Sequence, residues 1–231
     1  MKSLRTAGLI LSAVTLLSVL GSCSAETPRE AAKPDSTAAA TASPEPKPFT
    51  LPASDTFTLV TDAGEITIKL EPGQAPRNAY QVKQLAARGF YDGVGFHRVL
   101  RNTMVQAGCP NSKDRNFYDD GKGDAGVFIP FEDNDLKMTA GAVAMAHGRD
   151  KDSASSQFFI CVADYPKWEH EYTIIGRVTK GLDVARKISL APTLAPDLPT
   201  HPKDMVVIKS VRFEEPPPPR PEEKGKEKTR K

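Results

Sequence analysis

The chain has 231 residues, a mass of 25.0 kDa and a formal net charge of +2. That length suits one domain with appendages, and so small a charge offers no electrostatic footprint for nucleic acid. Fifteen of the 16 aromatic residues lie between Phe57 and Phe213, whereas 11 of the 20 prolines lie outside residues 54–213. Flanks that hold a single aromatic between them cannot bury enough apolar surface to offset their ordering entropy. The folding unit is therefore the 160-residue block 54–213, and two domains are not expected. Within it 20 Lys+Arg balance 20 Asp+Glu, which argues further against a polyanion partner.

Residues 1–22 read as a secretory leader. Lys2 and Arg5 precede an apolar run of 14 residues from Ala7 to Leu20, short of the roughly 20 that a spanning helix needs. The run ends in Leu20-Gly21-Ser22-Cys23, which resembles the bacterial lipobox. The resemblance implies cleavage before Cys23, diacylation of that residue and anchoring to a membrane. Each buried methylene would contribute about 0.8 kcal/mol to the anchor. The implied location is extracytoplasmic, at the periplasmic face or the cell surface. Residues 23–53 are the lipidated N-terminus and a tether rich in Ala, Pro, Ser, Thr and Glu, expected to be unfolded.

The block opens with Phe57–Leu70, two alternating apolar runs around Asp62-Ala63-Gly64, which predicts a β-hairpin. Ala75-Pro76 starts a helix, with proline early in the first turn. Ala79, Val82, Leu85 and Ala86 keep its apolar period, and Gly89 marks its stop. Short strands are predicted near 95–100, 103–107, 141–146, 156–163 and 172–178. A Gly/Asp-rich loop covers 109–126. A second helix fits 181–188, and the last strand is 205–213. Roughly eight strands and two helices, with strands joined mostly by loops, predict a mainly β fold. The expected form is a closed eight-stranded antiparallel barrel capped by two α-helices. Residues 214–231, Pro-rich and then charged, are expected to be a solvated tail.

Three segments carry a resemblance. They are Phe96-His97-Arg98-Val99 followed by Met104-Val105-Gln106-Ala107-Gly108; Ala144-Met145-Ala146 followed by Ser155-Ser156-Gln157-Phe158-Phe159-Ile160; and Tyr172-Thr173-Ile174-Ile175-Gly176. In order and spacing they resemble the cyclophilin family of peptidyl-prolyl cis-trans isomerases over essentially all of 54–213. The resemblance implies a prolyl isomerase acting on exported proteins, with proline-containing polypeptides as partners. It implies Arg98 as the catalytic arginine, with Met104, Gln106, Gln157 and Phe159 as pocket residues. Ala146 and His147 would line the site for the residue before proline. Tyr172 matches a further site position. Trp168 falls at or beside an apolar wall, within one residue. A monomer is expected.

Two positions depart from the family pattern. Thr103 stands where a phenylalanine usually floors the proline pocket, so a wider and more polar pocket is expected. Cys109 replaces a common aspartate. An alternative reading is a weakly catalytic peptide-binding or chaperone module on the same fold.

The chemistry suits these residue types. An X-Pro bond turns slowly because rotation breaks amide conjugation, with a barrier of about 18–20 kcal/mol. No bond is made or cleaved, so no nucleophile, metal or cofactor is called for. The site must favour the twisted amide, whose nitrogen regains a lone pair. A permanently charged, planar guanidinium can donate to it.

Other residues carry blander expectations. Phe158 and Met145 face the core. His97 points away from Arg98's face by strand alternation. Cys161 is a buried structural thiol. Cys109 and Cys161 could pair by number, but spacing alone does not establish proximity. The acidic residues of 119–135 lack EF-hand spacing and are expected to be solvated.

Overall fold

A computed structural model describes residues 50–114 and 116–215. The leader, Cys23, most of the tether and the tail from residue 216 lie outside the described residues.

The chain begins with the predicted hairpin, β1 (Thr56–Thr61) and β2 (Gly64–Leu70). Thr61 pairs with Gly64 across a two-residue loop of Asp62 and Ala63, and Gly64 takes φ 137° there. Helix α1 (Pro76–Ala87) follows, with proline in its first turn. Its orphan N-terminal amides are met from outside the helix: Glu132 accepts from Arg77 N (3.1 Å), Asn78 N (3.0 Å) and Asn78 Nδ2 (2.8 Å). A carboxylate there also suits the helix dipole. The predicted face, Ala79, Val82, Leu85 and Ala86, is buried. Lys83 is buried with it and pairs with Asp55 at 2.7 Å.

Strands β3 (Arg98–Leu100), β4 (Met104–Ala107), β5 (Ala142–Met145), β6 (Phe158–Cys161) and β7 (Ile174–Lys180) come next. Then come α2 (Leu182–Ser189), a short hairpin of β8 (Thr193–Leu194) and β9 (Leu198–Pro202), and β10 (Ile208–Phe213). Eight strands form one sheet in the order β10-β1-β2-β7-β5-β6-β4-β3, with antiparallel pairings throughout. The eight strands of this sheet and the two helices match expectation, and the β8–β9 hairpin is additional.

The expected closure of the barrel is not met. The sheet is a curled half-barrel whose outer strands, β3 and β10, do not form a ladder. Residues 93–96, just before β3, touch the start of β10 instead, through the single bridge Gly95↔Val207 and the bonds Phe96 N to Val206 O (2.9 Å), Ile208 N to Val94 O (2.9 Å) and Gly93 N to Ile208 O (2.8 Å). The chain turns into β3 only at Arg98, so too few residues run alongside β10 to close the ring.

The large core lies on the concave side. It takes Phe57, Leu59, Ile66 and Ile68 from the first hairpin, the buried faces of both helices, and one residue in two from β4, β5 and β6. Phe158 and Met145 belong to it, as expected. Tyr91 sits edge-on to Phe158 at 5.4 Å and donates to Ser156 O at 3.1 Å, which satisfies its buried hydroxyl.

Candidate active site

Strand alternation builds the site. Val105, Ala107, Val143, Met145, Phe158 and Ile160 point into the large core. Their neighbours Met104, Ala142, Ala144, Phe159 and Cys161 form a second, smaller cluster on the opposite face. Register sets the polar residues beside it. Arg98 pairs with Gln106, Gln106 with Phe159, and Phe159 with Ala144. One row across four strands thus carries an arginine, an amide, an aromatic ring and a small residue.

A cavity of about 100 Å³ opens on this row. Arg98 and Gln106 form its polar side. Met104, Phe159, Trp168 and Tyr172 form its apolar side, and Ala146 and His147 a third edge. The rings interlock edge to face: Phe159 with Trp168 at 5.5 Å and Phe159 with Tyr172 at 5.0 Å. A 3₁₀ turn, Pro166–Trp168, delivers the tryptophan, so Trp168 itself is the wall residue. His147 stacks on Tyr172 at 4.6 Å, and its ring nitrogens lie 2.9 and 2.8 Å from the carbonyls of Gly148 and Glu171.

The arginine is held from behind. Arg98 Nη1 donates to Gln106 Oε1 at 3.0 Å, and Gln106 Nε2 donates to Gln157 Oε1 at 2.9 Å. Gln157 Nε2 donates to the carbonyls of Gly121 (2.8 Å) and Gly123 (2.9 Å). Gln157 does not line this cavity but lines an adjoining one of about 280 Å³, and it is linked to Arg98 through Gln106. All the other expected substrate-site residues line the cavity with Arg98. Gly108 ends β4 at φ 97°, and a Cβ there would strike the Ser156 carbonyl. That close approach brings residue 157 to Gln106.

Thr103 lies in the β3–β4 turn, bonds to Arg101 O at 3.2 Å, and is not among the cavity's lining residues. Cys109 and Cys161 are both buried and unpaired. Burial pushes the Cys161 thiol up to about 12, so it is not a nucleophile at neutral pH. Cys109 Sγ instead accepts from Gly121 N (3.1 Å) and Gly123 N (3.3 Å), the residues whose carbonyls hold Gln157.

Two expectations change here. Alternation does not govern His97, because β3 starts one residue later; both His97 and Arg98 border a further cavity. Burial pushes His97 down to about 4, against the pull of Asp120, and neither ring nitrogen has a hydrogen-bond partner among the described residues. It is a neutral, enclosed ring rather than an acid or base at neutral pH. The acidic loop is not wholly solvated either. Asp120 is buried against His201 Nε2 at 2.7 Å, with side-chain exposures of 4% and 6%. Nothing local signals this pair, because 81 residues separate its members. Among the described residues no cluster of three or more His, Cys, Asp or Glu side chains is placed to hold a metal.

The architecture is that of known cyclophilins. A cyclophilin-type peptidyl-prolyl cis-trans isomerase of Cryptosporidium parvum aligns with a TM-score of 0.63 at 24% identity, covering 71% of this chain and 99% of that one. It has also been solved in the presence of the dipeptide Ala-Pro. The sequence profile of the cyclophilin type peptidyl-prolyl cis-trans isomerase/CLD family matches residues 56–213. A peptidyl-prolyl cis-trans isomerase of Helicobacter pylori is 37% identical over 135 residues, covering 57% of this chain and 78% of its own length. Peptidyl-prolyl cis-trans isomerase B of Bacillus subtilis is 37% identical over 135 residues, covering 58% and 89%. The chain belongs to the cyclophilin-type peptidyl-prolyl cis-trans isomerases.

Proposed function

We propose that this protein isomerises X-Pro bonds of exported polypeptides, with Arg98 stabilising the twisted amide. The observation that carries the reading is the hydrogen-bonded series Gln157–Gln106–Arg98 beside an aromatic cavity. Met104, Phe159, Trp168 and Tyr172 grip the proline ring. Ala146 and His147 hold the preceding residue as a short extended stretch. As the imide bond turns, its nitrogen pyramidalises and accepts from the guanidinium of Arg98. Gln106 fixes that guanidinium, so little reorganisation is needed at the moment of turning. The Ala-Pro dipeptide present with the Cryptosporidium protein is a ligand of the class proposed here. The step consumes no ATP, which suits a compartment outside the cytoplasm.

The test is cis-to-trans relaxation of a short X-Pro peptide, catalysed by wild type and by Arg98→Ala. Loss of one preorganised donor should lower kcat/KM by about 100-fold or more. Wild-type relaxation no faster than buffer would sink the enzyme reading.

The second reading, a peptide-binding module with weak catalysis, draws on Thr103, which leaves the cavity without the usual aromatic floor. We further propose that the enzyme acts as a monomer tethered by lipid at Cys23. Radiolabelled palmitate should enter the wild type and not Cys23→Ser; labelling of both would remove the anchor.

A further inference from the structure

Three cavities meet at Gln106. The first, of about 100 Å³, is the proposed proline site. The second, of about 280 Å³, shares Ala146 and His147 with it, and the third, of about 300 Å³, shares Arg98. A chain with its proline in the first cavity and its preceding residue against Ala146 and His147 therefore leaves past Arg98, toward the third. An extended chain advances about 3.3 Å per residue, so the first or second residue after proline reaches it.

We infer that the third cavity is a substrate subsite that selects an acidic side chain just after the proline; this rests on the assignment of the first cavity to proline. The β8–β9 hairpin supplies one wall through Leu198, Pro199 and Thr200, and Phe117 supplies part of another. Both walls are fixed. His201 packs on Phe117 at 5.0 Å and bonds to Asp120 at 2.7 Å, both ends of that bond being buried. The single carboxylate in the wall, Asp120, gives one oxygen to His201, and its other oxygen is buried without a partner among the described residues.

The cationic groups, by contrast, are available. Lys122 is exposed on the rim that the second and third cavities share, and its ammonium has no partner among the described residues. The Arg98 guanidinium bonds only to Gln106 among them. His97, neutral through burial, adds no charge of its own at neutral pH. A carboxylate entering here meets the Lys122 ammonium and the outer edge of the Arg98 guanidinium between the walls of Leu198, Pro199 and Phe117.

The test measures binding of capped Ala-Pro-Xaa-Ala and Ala-Pro-Ala-Xaa peptides to the full chain by titration, with Xaa as Glu, Gln or Lys. A peptide with alanine in place of proline is the control. The glutamate peptide of at least one series should bind roughly three- to fivefold tighter than its glutamine counterpart, the scale of one exposed ion pair. The lysine peptide should bind weakest. Lys122→Glu should invert the order, and about 0.5 M salt should erase it. Equal affinities for Glu and Gln in both series, or a preference that survives Lys122→Glu, would overturn the subsite. If the proline peptide binds no better than its alanine control, the proline site itself fails. Proline dependence without acidic preference would remove only the subsite.

Discussion

Strands β4, β5 and β6 serve two regions at once. On one side, Val105, Val143, Phe158 and their fellows join the first hairpin and both helices in a core closed on every side. On the other, Met104, Ala142, Ala144, Phe159 and Cys161 meet Met138 and Ile174 as their only buried apolar partners among the described residues, with Leu100, Leu136, Ala146, Trp168 and Tyr172 partly covering them. Both groups are apolar and both are nearly inaccessible. The difference is that the first cluster is complete, whereas the second lacks a lid and borders the cavity. A pocket for a proline ring needs such an incomplete cluster, firm below and open above. Alternation makes the same backbone supply the floor of one and the wall of the other.

The sharpest way to break this comparison is to truncate adjacent residues. Phe158→Ala should destabilise the fold by about 3–5 kcal/mol, because it hollows a closed core. Phe159→Ala should cost roughly half as much, since solvent can enter the space it leaves, while abolishing most activity. Urea midpoints and peptide relaxation together check this; equal stability losses would dissolve the distinction between the regions.

His97 offers a second test, of the enclosed side. Its folded pKa is lowered to about 4 by burial, below the ordinary 6.5 of an unfolded chain. Between those values the unfolded state binds more protons, so stability should fall as pH drops through that window. The loss at the acid end should reach up to about 3 kcal/mol. His97→Gln should flatten that part of the curve, read as urea midpoint against pH. An unchanged slope would show that other groups carry it.

Two smaller effects probe the open side. Gln157→Leu should lower kcat about three- to tenfold, the scale of the one hydrogen bond it makes to Gln106, with KM little changed and the urea midpoint lowered by loss of its bonds to Gly121 and Gly123. An unaltered kcat would mean that Arg98 needs no support from behind. Thr103→Phe should tighten proline-peptide binding by a few fold through added apolar contact, measured by titration. Unchanged affinity would show that the turn holds residue 103 away from the ligand.

Much of both regions was legible in the sequence. The runs Met104–Gly108 and Ser155–Ile160 contain the alternation that separates core from site, so Phe158 and Phe159 could be assigned to opposite faces. The first hairpin and both helices announce themselves by turn residues and apolar period. What stayed hidden depended on distant contacts. The β8–β9 hairpin runs through Pro192, Pro196, Pro199 and Pro202 and has no apolar alternation to betray it. Asp120 looks like a loop residue until His201 arrives against it. Glu132 caps α1 from 54 residues away. Closure of the sheet turned on where one strand begins, and a pattern of apolar residues sets such boundaries only loosely.

The amide series behind the arginine has a direction that one end alone dictates. Backbone carbonyls can only accept, so the two glycines of the 121–123 loop oblige Gln157 to turn its NH₂ toward them. Its oxygen must then face Gln106, which answers with its own NH₂ and is left presenting oxygen to Arg98. Neither amide can flip without setting like groups against each other. A glutamate at 157 could not begin the sequence, since a carboxylate has nothing to donate to a carbonyl. Two peptide groups on a surface loop thereby fix which edge of the guanidinium is spent inward and which stays free for substrate.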